Sequence, residues 1–168
     1  MRIISCVFVA LSLLIVINSC SSYEPQAYGP IEFEITIEGP IFEGSVADGI
    51  VSIPFNPENF GITREDIYSM KMKEMSIETD HESGIGIFEN IKFTVMTDDT
   101  ETKEIASSTI ESGAQKITIE GLNEAEIKGF SKINNFFLEV DCISREEIFD
   151  DITIKGSFIM HVMVPEKK

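Results

Sequence analysis

From Ile31 the chain alternates strictly. Ile31, Phe33, Ile35 and Ile37 fall on one face and Glu32, Glu34, Thr36 and Glu38 on the other, the period-two signature of a strand with one side buried and one side wet. Gly39-Pro40 ends it. A weaker extended stretch from about Val46 to Ile53 is interrupted by Asp48-Gly49, which reads as a turn. Asn56-Pro57 offers an N-cap followed by Pro, and Thr63-Arg64-Glu65-Asp66 has the form of a capping box with Asp in place of Glu, so one or two short helical turns are expected between Asn56 and Tyr68. Period two returns at Ser69, with Met70 and Met72 on one parity and Met75, Ile77 and Thr79 on the other; a β-bulge near Lys73-Glu74 would put both sets on one face.

Further along, Ile91, Phe93 and Val95 point inward from a strand over about Ile87 to Thr97, Asp98 to Thr102 forms a hairpin loop, and Lys103 to Ser107 runs back. Lys116 to Glu120 turns Ile117 and Ile119 inward. Gly121 to Asn135 is a long connection, and Asn135 to Ile143 is a central strand with Glu139 and Asp141 exposed. The last strand, Ile152 to Val164, is the longest, with Gly156 marking a bend, and its second half is partly apolar on both faces. About seven or eight strands spaced by turn signals, with no helix of ten residues, predict an all-β fold: an antiparallel β-sandwich of immunoglobulin-like or jelly-roll connectivity. The paired cysteines around a Trp that mark true immunoglobulin domains are absent.

Ahead of this body lies a segment of different character. Arg2 is followed by an almost unbroken apolar run from Ile3 to Ile17 and then by Asn18-Ser19 in front of Cys20, the layout of a secretory signal peptide. The run is shorter than the about 20 residues that a membrane-spanning helix needs. Ile17-Asn18-Ser19-Cys20 resembles the lipobox of bacterial lipoproteins, with Ser19 and Cys20 matching, Ile17 an accepted variant of Leu, and Asn18 a departure from the usual small residue. The resemblance implies that Cys20 receives lipid on sulfur and becomes the first residue of the mature protein. Ser21 stands where that family often carries an Asp for inner-membrane retention, which favours the outer membrane. The expected organisation is a leader over 1–19, a Ser-, Tyr-, Pro- and Gln-containing tether over 20–29, and one domain over 30–168, long enough to bury a core.

The formal charge of −16 becomes one unit more negative when Arg2 leaves with the leader. Such a surface repels nucleic acid and anionic lipid heads, which excludes nucleic acid as an expected partner and leaves the lipid on Cys20 as the membrane contact. It suits a cation or a basic envelope protein. With Cys6 in the leader and Cys20 modified, Cys142 is unpaired, and its phase with Phe136, Leu138 and Val140 marks it as a buried apolar residue rather than a nucleophile.

Candidate chemistry is sparse. Asp98, Asp99 and Glu101 in one loop, and Glu146, Glu147, Asp150 and Asp151 in another, supply hard oxygen ligands of the kind Ca²⁺ takes, although neither loop has the EF-hand spacing. Asp80-His81-Glu82 with His161 makes a poor zinc set, because adjacent residues on an extended chain point apart. Phe137 is out of phase with Phe136 and Leu138; if its strand neighbours the last one, Phe137, Ile159 and Met163 would form an apolar partner-binding patch. No nucleophile elbow, phosphate loop or metalloprotease motif occurs. The expected function is therefore a non-catalytic binding or assembly module. One rival is an accessory subunit whose last strand completes a partner's sheet, and another is a metal-assisted hydrolase using the acidic loops.

Overall fold

The computed structural model describes residues 22–97, 100–122, 125–129 and 132–166. Among them run β1 (Tyr23–Ile37), β2 (Val46–Pro54), β3 (Ser69–Thr79), β4 (Phe88–Thr97), β5 (Thr100–Thr109), β6 (Lys116–Glu120), β7 (Asn135–Ser144) and β8 (Ile152–Pro165). They build two antiparallel four-stranded sheets, β1-β8-β3-β6 and β2-β7-β4-β5. The pairing is nested: β1 lies on β8, β2 on β7, β3 on β6 and β4 on β5. The chain is thus a long hairpin rolled up, closed by β8 against β3 and β7 against β4. This is the jelly-roll form of sandwich. Immunoglobulin sheets instead place consecutive strands side by side repeatedly, so that alternative is set aside.

The registers define two ends. Tyr23 opposite Pro165 and Pro54 opposite Asn135 mark the end near the chain termini, here called proximal, whereas Ile37 opposite Ile152 and Val46 opposite Ile143 mark the distal end. Between the sheets, Phe136 of β7 meets Phe158 of β8 with ring centroids 6.1 Å apart, and Phe33 of β1 meets Phe93 of β4 at 6.0 Å. Each such buried ring contributes roughly 2–3 kcal/mol, the core's substitute for a disulfide. Cys142 belongs to this core. Its Sγ donates to the Ala47 carbonyl at 3.4 Å, and burial, helped by the charges of Asp141 and Asp48, pushes its thiol up to about 12.

Several expectations change. Tyr23 to Gly29 is not a tether but the first half of β1, paired from Tyr23 opposite Pro165 to Tyr28 opposite Met160. Tyr28 is 1% exposed, lies edge-on to Phe55 and Phe60, and sets its hydroxyl between the Pro54 carbonyl (3.5 Å) and the Asn56 amide (3.3 Å). The domain therefore starts by Ser22 rather than at Pro30. Its exposed Glu24, Pro25 and Gln26 break the alternation and hid a strand whose order is supplied by β8. Asp48-Gly49 is no turn either but the middle of β2; a Cβ on Gly49 would stand 2.6 Å from Ile35 Cγ2 and 2.8 Å from the Thr36 carbonyl, so glycine lets β1 and β2 approach at the sandwich's side.

The bulge expected near Lys73 is present, as a register shift between Met72 and Glu74. Short 3₁₀ turns at Pro57–Phe60 and Arg64–Asp66 fall where helical turns were expected, but neither Asn56 nor Thr63 makes a side-chain cap. The segment is held instead by Arg64, which donates to the carbonyls of Phe55 (2.8 Å) and Ile133, pairs with Glu58 at 3.2 Å and lies over the Phe55 ring. Finally, β8 is interior, flanked by β1 and β3, so it offers no free edge to a partner.

Candidate functional site

The structure separates the residues that sequence reasoning grouped. Cys20, Asp98 and Asp99 lie outside the described residues, as does the side chain of Glu101. The strand residues that flank that loop, Thr97 and Thr100, pair at the proximal end, while Glu146, Glu147, Asp150 and Asp151 lie at the distal end. Distal carboxylates serve the backbone: Asp151 accepts the Gly39 amide at 2.9 Å and Asp80 the Thr153 amide at 3.1 Å. His81 Nδ1 accepts the Ser83 amide at 3.2 Å, and His161 sits far along β8 opposite Ala27 and Lys71, so the two histidines do not meet. Among the described residues no group of three or more His, Cys, Asp or Glu is disposed to hold a metal ion.

The apolar patch also divides. Phe137 on β7 lies on the outer face of one sheet, opposite Ser52 and Met96, whereas Ile159 and Met163 on β8 lie on the outer face of the other. All three are half-buried. Parity gave their outward direction correctly, but a parity cannot say which sheet a strand joins.

At the distal end a different set of apolar side chains is exposed. Phe149 is 75% exposed, Val46 66% and Phe42 58%, while Ile50, 55% exposed, lies further along β2 opposite Glu139. Their positions are fixed by backbone pairing. Ile41 and Ile148 exchange two hydrogen bonds of 2.7 and 2.8 Å and bury their side chains, and strand alternation then turns the next residues, Phe42 and Phe149, outward. The Phe42 carbonyl accepts the Ser45 amide (3.0 Å) and hydroxyl (2.6 Å), a tight turn that delivers the chain into β2 at Val46. Val46 is a ridge between two shallow troughs. One, of about 570 Å³, runs over the outer face of β7, β4 and β5 past Ile143 and the Lys92–Asp141 ion pair (2.5 Å). The other, of about 460 Å³, lies between β1 and β2 past Glu38, Pro40 and Asp48.

Around this ridge stand the exposed carboxylates Glu38, Glu43, Asp48, Glu147 and Asp150. The nearby Arg145 turns inward and donates to the Ile110 carbonyl at 2.5 Å. An exposed apolar ridge with a negative rim has the chemistry of a contact surface rather than of a reaction centre. Sequence reasoning missed it, although the signal was present: Phe42 and Phe149 each sit inside a turn-forming, acidic segment, where an aromatic has no alternation to justify it.

No protein-family model and no curated protein matches the chain. Among solved structures it is similar to a chain of Desmodium yellow mottle tymovirus, at 12% identity over 86% of this chain and 91% of that one, with a TM-score of 0.30. A chain of the mud crab tombus-like virus is similar at 8% identity over 95% and 99%, TM-score 0.32. An arabinose-bound α-L-arabinofuranosidase, MgGH51, is similar at 11% identity over 88% of this chain and 23% of that one, TM-score 0.37.

Proposed function

We propose that the protein is a lipid-anchored, non-catalytic binding or assembly module of the bacterial cell envelope, held at the outer membrane through Cys20. The observation that carries this reading is the leader, with its apolar run ending at Ile17-Asn18-Ser19-Cys20. Two or three acyl chains on such a cysteine, each buried methylene contributing about 0.8 kcal/mol, hold a domain without help from its surface. The proximity of β1 supports it further: ordered strand begins at Tyr23, three residues after Cys20, so the anchored domain stands close to the lipid with its distal end outward. The non-catalytic part is supported by a Cys142 thiol that stays protonated in the core and by distal carboxylates committed to backbone amides. Strand addition through β8 is not retained, because that strand has neighbours on both sides.

The test is metabolic labelling with an alkyne fatty acid in a bacterial host, followed by membrane fractionation. The wild-type protein is expected to carry label and to sediment with the outer membrane, and Cys20→Ala to lose both. Unlabelled wild-type protein, or a labelled and sedimenting Cys20→Ala variant, overturns the anchor.

A further inference from the structure

We infer that the distal ridge of Phe42, Val46 and Phe149 is a docking site for a cationic protein segment carrying apolar anchors, an inference that rests on the proposal that Cys20 holds the opposite end at the membrane. Phe42 and Phe149 are exposed on backbone that is itself hydrogen-bonded in place. The Ile41–Ile148 bridge and the Phe42–Ser45 turn hold the two phenylalanines outward on ordered backbone, and a side chain of that size left in water forgoes roughly 2 kcal/mol of burial. Preset apolar side chains of this kind are the centres of protein contacts, because little conformational freedom is lost when they are covered.

Charge selects the occupant. Glu38, Glu43, Asp48, Glu147 and Asp150 are exposed around the ridge, and Arg145 turns inward, with Nη2 donating to the Ile110 carbonyl and Nε buried. A second copy of the chain would oppose carboxylate to carboxylate, and phosphate-rich surfaces would be repelled in the same way. Lys or Arg beside an apolar group meets both features at once. The troughs on either side of Val46, about 570 and 460 Å³, give such side chains room to lie along the ridge.

The full chain in phosphatidylcholine nanodiscs, referenced to empty discs, is titrated with two probes at physiological salt: a short lysine peptide carrying two phenylalanines, and a matched peptide carrying two serines. The phenylalanine peptide is expected to bind about tenfold more tightly. The Phe42→Ser/Phe149→Ser double variant is expected to bind both peptides alike, and Glu43→Gln/Glu147→Gln to weaken both. Equal binding of the two peptides to the wild type, or an unchanged preference in the double variant with its unfolding midpoint intact, overturns the site. Failure of the chain to enter nanodiscs overturns the anchor alone, and the titration then reads the ridge in free solution.

Discussion

The two ends of the sandwich use the same side chains to opposite effect. At the proximal end Phe55 and Phe60 pack edge-on to Tyr28 with centroids 5.3 and 4.8 Å from the tyrosine, and Arg64 staples the covering segment to the carbonyls of Phe55 and Ile133. At the distal end Phe42 and Phe149 stand in solvent. The difference lies in the connections. The chain from Phe55 to Tyr68 is long enough to fold back as a lid with two 3₁₀ turns, while the turn from Phe42 to Ser45 is tied too tightly to cover anything. Tyr28 and Phe55 are buried beneath a connection long enough to return over them, and Phe42 and Phe149 have no such cover.

The sharpest way to break this comparison is Tyr28→Ala. A tether residue would cost nothing; a ring at 1% exposure in an aromatic cluster is expected to cost about 3–5 kcal/mol, read as a shifted urea midpoint. A shift under about 0.5 kcal/mol would return Tyr23 to Gly29 to the status of linker. Next in size, Arg64→Ala removes two carbonyl contacts and the Glu58 pair. Charged donors in part-buried positions contribute about 1.5–3 kcal/mol, so a loss of about 2–3 kcal/mol is expected. Amide exchange in 55–68 should accelerate before that of the distal turns; uniform acceleration would mean that the lid is not a separate unit.

How far the chain could be read follows the same division. Alternation exposed β1 from Ile31, β7 and β8, and the methionine parities located the bulge between Met72 and Glu74. It failed where a strand's order comes from its partner, as in Tyr23 to Gly29, and where glycine serves a close approach rather than a turn, as at Gly49. That the last strand is interior was not legible, because which strands flank it is set by the nested pairing rather than by its own pattern. Phe42 and Phe149 could have been noticed as aromatics out of place, but that they share an end with Val46 was not legible, because they come from separate segments placed by the strand pairing.

On stability, the distal counterpart to Tyr28 should be nearly silent. Phe149→Ser is expected to move the unfolding free energy by no more than about 0.5 kcal/mol, since the side chain is 75% exposed. A loss of 2 kcal/mol or more, roughly the transfer energy of a buried ring, would show that Phe149 is part of the core in solution and would erase the contrast between the ends.

The smallest effect is electrostatic and belongs to the proximal half, where Lys71 and Lys73 approach His161 on the outer face of β8 and β3. Burial, and then the charges of Lys73 and Lys71, hold the imidazole below its usual 6.5 in the folded protein. The unfolded chain then takes up a proton as pH falls through 6.5 while the native state does not, so unfolding is coupled to proton uptake and acid favours it. The stability supplied by the neutral imidazole is complete above 6.5 and is lost between that value and the lower folded one. Protonating carboxylates relieves the net negative charge and works the other way over part of the same range. The clean measurement is therefore the stability of wild type minus that of His161→Gln, which should hold level well above pH 6.5 and fall as pH drops through 6.5. A difference that stays flat would mean that neither burial nor the charges of Lys73 and Lys71 hold the imidazole below its usual value.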